Sequence, residues 1–102
     1  MSHRRSRVPM QAVLDAAGAQ VALEQGRKVL AGLHSMSPVL RLGVERTAWS
    51  LALRHFEQAE DLFYLAALRM APGELDSWLD GAREARIQAG ATLIALEQEA
   101  MP

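Results

Sequence analysis

Met10, Val13, Leu14, Ala17 and Val21 recur at steps of three and four, and Val29, Leu30 and Leu33 resume the pattern. Such spacing puts apolar side chains on one face of a helix. Pro9 stands in the first turn, where its missing N–H is no loss. Gly18 and Gly26 interrupt the run, each at a cost of about 1 kcal/mol relative to Ala inside a helix. One bent helix or two short ones both fit.

Ser37-Pro38 is the clearest start signal, an N-cap hydroxyl followed by proline at the first helical position. The segment from Gly32 to Ser37 is therefore expected to turn, and a helix to run from Pro38 to about His55. Its apolar residues form two stripes. Leu40, Val44, Ala48 and Leu51 make one; Leu42, Trp49, Leu53 and Phe56 make the other. A helix that is apolar on two sides has neighbours on two sides, or a neighbour on one and a partner on the other.

Ala59, Leu62, Phe63, Ala66, Ala67 and Met70 continue the helical period up to Pro72-Gly73. No Gly or Pro separates this stretch from the preceding helix, so a hairpin about His55 and one uninterrupted helix are both open. Leu75, Trp78, Leu79, Ala82 and Ala89 trace the next helix, with Glu74 and Asp76 at its positive end. Gly90 reads as a C-terminal cap, and Leu93, Ile94 and Leu96 as a last short helix. The expectation is an all-α fold of antiparallel hairpins, five or six helices of about 12 to 18 residues each. Residues 1–8 read as a disordered basic tail and residues 9–102 as a single helical domain.

Composition agrees. Of 102 residues, 50% are hydrophobic but only 5% aromatic, and Ala and Leu predominate, which favours helices over sheets. The absence of Cys excludes a disulfide scaffold, thiolate metal sites and cysteine catalysis, and suits a reducing cytoplasm. The net charge of −1 hides an asymmetry: Arg4, Arg5 and Arg7 crowd the N-terminus, and the rest is acidic on balance. An acidic body is a poor phosphate binder, so nucleic acid would have to be held by the tail alone. No secretory leader is expected, because Asp15 interrupts the first apolar run. The run Leu62–Leu68 is far short of the ~20 residues that cross a bilayer.

Candidate chemistry is sparse. The chain has no Gly-rich phosphate loop, no nucleophile elbow and no pair of His four residues apart. His55 with Glu57, Glu60 and Asp61 is the best metal candidate, but its order reverses the Glu-x-x-His of bundle metal sites, and it reads as a solvated acidic face. His34 reads as a favourable charge at a helix C-terminus. Arg83 and Arg86, beside Leu79 and Ile87, read as a solvated face. Trp49 stands out, because it extends the second apolar stripe. That stripe either meets another helix in the core or forms a groove for a partner's amphipathic helix.

Ala67-Leu68-Arg69-Met70-Ala71-Pro72, with Tyr64 before it and Trp78 after it, resembles the end of one tetratricopeptide repeat and the start of the next. Within that group, Pro72-Gly73-Glu74-Leu75-Asp76-Ser77-Trp78-Leu79, then Ala82 and Ala89-Gly90-Ala91-Thr92-Leu93, is similar to the tetratricopeptide-like chaperones of type III secretion needle subunits. Where that family has a Gly-containing turn, this chain has Arg54-His55-Phe56-Glu57. The resemblance implies a cytoplasmic, non-enzymatic chaperone without cofactor or metal. It would hold the amphipathic helix of a needle-type subunit, together with a small helical co-chaperone, and so block premature polymerisation. The repeat register implies a groove of Leu42, Trp49, Leu53, Leu79, Arg83 and Ile87, with Trp78 in the core. The alternative from another class is a small helical regulator or nucleic-acid accessory protein that uses the basic tail.

Overall fold

A computed structural model describes residues 8–32 and 37–100. They form three helices, α1 (Met10–Gly32), α2 (Pro38–Ala67) and α3 (Asp76–Ala100), with no strand among the described residues. The all-helical reading stands, but the count of five or six helices is corrected to three among the described residues.

Each merger has a physical reason. Gly18 and Gly26 stay inside α1 because both lie where α2 comes close. A β-carbon on Gly18 would sit 3.1 Å from the His55 ring, and one on Gly26 would sit 2.7 Å from Cβ of Ala48. At these positions glycine serves packing rather than chain termination. Gly90 does not cap a helix; α3 runs through it to Ala100. Between Arg54 and Glu57 the chain contains no helix breaker, and α2 passes straight through, so the hairpin about His55 is excluded.

The ends of α2 follow the expected rules. Ser37 is extended (φ −63°, ψ 154°), and its Oγ accepts from Leu40 N–H at 3.2 Å, with Pro38 next in line. At the other end, Arg69 and Met70 donate to carbonyls only three residues back, which tightens the last turn. Gly73 then takes φ +88°, a left-handed conformation that costs glycine little, and Asp76 opens α3 with an acid in the first turn.

Packing fixes the arrangement. One core cluster joins Ala12, Ala59, Phe63 and Ala82; the next joins Ala19, Ala52, Phe56 and Ala89. Between them the numbering rises by seven on α1 and α3 and falls by seven on α2. Both outer helices are therefore antiparallel to α2, and the repeat is that of a coiled-coil seam. The same interval runs from Leu75, just before α3, through Ala82, Ala89 and Leu96 of α3, all buried. Alanine at most of these layers lets the backbones approach closely. Val8, the last residue of the segment expected as tail, packs on the first cluster. Arg4, Arg5, Arg7 and His34 lie outside the described residues.

Candidate helix-binding groove

α1 and α3 flank α2 and leave a groove between them. Phe56 and Phe63 form its floor; small residues line its walls, Ala16 and Ala17 from α1 and Gly81, Ala82 and Ala85 from α3. Its volume is about 560 Å³. Phe63 is held at 2% exposure by its neighbours, whereas Trp78 remains 44% exposed at the mouth. The two rings meet at 5.6 Å with a 34° tilt, within the range of favourable aromatic pairs. Trp78 was expected in the core; it is instead a rim residue with one edge on the core. Further along, a smaller cleft of about 140 Å³ is lined by Leu23, Arg27, Leu30, Glu45 and Trp49.

The six residues assigned to a groove by the repeat register are spread over different surroundings. Trp49 and Leu53 pack against the Ala19–Phe56–Ala89 cluster, and Leu79 packs against the Ala12–Phe63–Ala82 cluster. Leu42 is half-buried, and Ile87 is exposed. Arg83 Nε donates to Glu60 Oε2 at 3.1 Å. The groove itself is built by Phe56, Phe63, Trp78 and Gly81, whose common surface depends on how three helices assemble. No single-helix pattern marks it.

The polar groups mostly link helices. Glu60 reaches from α2 to α3 and accepts from both Arg86 and Arg83. The hydrogen bond from Arg86, with that from Arg83 and the charge of both, holds its carboxyl below the ordinary value of 4.5, against the opposing effect of burial. The pair read as a solvated face, Arg83 and Arg86, therefore has a structural task. On the other side of α2, His55 Nδ1 lies 3.2 Å from Oδ1 of Asp15, a buried side chain that also receives Gln11 Nε2 at 3.5 Å. His55 and Glu60 thus serve different neighbouring helices and do not converge. Among the described residues no group of three His, Asp or Glu side chains is placed to hold a metal ion. No described helix is long and apolar enough to cross a membrane.

The groove presents an apolar strip between two helices. α1 and α3 run parallel to each other, so a fourth helix laid between them, antiparallel to both, would complete a four-helix bundle over Phe56 and Phe63. No family model matches this chain, and neither does any curated protein or solved structure.

Proposed function

We propose that this protein is a non-enzymatic chaperone that holds the amphipathic helix of a type III secretion needle-type subunit in the groove between α1 and α3. The open apolar groove over Phe56 and Phe63 carries the reading. Three helices leave it exposed, and one more helix would bury it. A subunit that polymerises through an apolar helix face would be kept unassembled while that face lies in the groove. The resemblance over Pro72–Leu79 supports the same reading, since this stretch contributes the turn and the Trp78 rim. A small helical co-chaperone and a cytoplasmic setting belong to the proposal.

Gly81 offers the test. It lines the groove, is exposed, and a β-carbon there would meet nothing within 4 Å. Gly81→Arg should fill the groove without touching the core. Co-expression with a needle-type subunit should yield a complex with the wild type and none with Gly81→Arg, while circular dichroism stays helical and the melting temperature does not fall. Equal capture by both proteins would remove the groove from the mechanism.

A further inference from the structure

The side of α2 turned away from the groove carries a second surface. Leu40, Val44, Thr47, Leu51, Arg54, Gln58, Asp61, Leu65 and Leu68 follow one another at alternating steps of four and three. That is the spacing of a coiled-coil seam, kept over the whole helix. All but the half-buried Val44 are exposed, including Leu40 at 61%, Leu65 at 56% and Leu68 at 65%. Gly43, Thr47 and Leu51 are shared by two clefts, one of about 600 Å³ towards α1 and one of about 440 Å³ towards α3. The lining of the larger cleft contains no charged residue. Thr47 Oγ1 donates to its own helix at Gly43 O, 2.9 Å away, so its hydroxyl needs no outside partner.

The charges on this seam select its occupant. Arg54 and Asp61 are one heptad apart near the middle, and neither has an ion-pair partner among the described residues. We infer that the seam binds a second copy of this chain, with the two α2 helices antiparallel about a two-fold axis level with Arg54 and Gln58. In that pairing each Arg54 comes within reach of the other copy's Asp61, and Leu65 and Leu68 of each copy cover Val44 and Thr47 of the other. A parallel pairing would set Arg54 against Arg54 and Asp61 against Asp61, and like charges so placed oppose association. The polar centre thus fixes orientation and register, as buried polar positions do in coiled coils. This surface lies opposite the groove, so the inference does not depend on the chaperone reading.

The experiment is sedimentation equilibrium on the full chain. A dimer is expected, and Arg54→Asp and Asp61→Arg should each weaken it about tenfold or more. Combining the two should restore it, because the pair is merely exchanged. Leu51→Glu should give a helical monomer, and the charge variants, at exposed positions, keep the test valid if that one fails to fold. Orientation is read by disulfide trapping: Thr47→Cys with Leu65→Cys should link two chains, and Thr47→Cys alone should not. A monomer at every concentration, a dimer indifferent to the charge exchanges, or trapping by Thr47→Cys alone would each overturn the inference. So would a monomer that instead takes up a foreign amphipathic peptide on this seam.

Discussion

Gly26 of α1 and Ala48 of α2 meet where a β-carbon on the glycine would lie 2.7 Å from that of the alanine. Real β-carbons do not approach so closely, and neither atom has a rotamer through which to escape. Gly26→Ala must therefore push the helices apart. The gain in helix propensity is about 1 kcal/mol, against an overpacking cost of about 1–3 kcal/mol, so a net loss is expected. Urea denaturation should show it, and Gly26→Ala combined with Ala48→Gly should recover most of it. Gly90→Ala is the control: nothing lies within 4 Å of its added carbon, and it should stabilise by up to about 1 kcal/mol. Equal effects at both glycines would refute the close approach.

His55 and Asp15 tie the same two helices together one helical stretch away. His55→Phe would keep an aromatic ring at this position but leave the buried Asp15 carboxyl with only Gln11 at 3.5 Å. Stranding a buried polar group costs about 1–3 kcal/mol, which equilibrium unfolding should report. Gly18→Ala acts on the same pair from behind, because its β-carbon would press on the His55 ring at 3.1 Å. A double-mutant cycle between these two changes should give less than the sum of the separate losses, since both break one contact. Full additivity would separate the glycine from the His55–Asp15 contact.

How far the chain could be read from its sequence depended on whether each feature belongs to one helix or to several. Ser37 and Pro38 act through neighbours in sequence, and the start of α2 was legible for that reason. Gly73 and Asp76 mark the turn into α3 in the same local way. Gly90 reads as a cap and is not one, and Gly18 and Gly26 leave one helix or two open, because a glycine kept for a close helix contact, or simply tolerated, has the same letter as one that ends a helix. The groove was out of reach: the two residues of its floor, Phe56 and Phe63, lie seven positions apart on α2, but its walls come from helices some sixty residues apart in the chain. Trp78 attracted notice as a core residue, whereas its exposed edge follows from the gap between α1 and α3.

Glu60 makes the α2–α3 contact sensitive to acid. Its carboxyl is held below its ordinary value chiefly by the Arg86 hydrogen bond and further by Arg83. A group with a depressed folded pKa adds stability above its unfolded pKa, and that stability fades as pH falls through the folded value. Wild-type protein should therefore lose more stability than Glu60→Gln between about pH 5 and pH 3. At neutral pH the variant should be weaker by about 1 kcal/mol, and added salt should narrow the gap, because the two arginines are partly solvated. Parallel stability curves for the two proteins across this range would show that the carboxylate is not coupled to folding.

Trp78 and Trp49 allow groove and seam to be told apart in one measurement. Trp78 stands half-open at the groove mouth, and Trp49 is partly buried against the Ala19–Phe56–Ala89 cluster. In Trp49→Phe protein the remaining emission comes from Trp78 and should lie to the red, as for a partly hydrated indole. Adding an amphipathic helical peptide from a needle-type subunit should shift that emission to the blue, because the groove loses its water. Concentrating the protein into dimers through α2 should leave it in place, since Arg54 and Asp61 face away from Trp78. A blue shift on self-association without peptide would mean that the second copy occupies the groove, and the two surfaces would have to be reassigned.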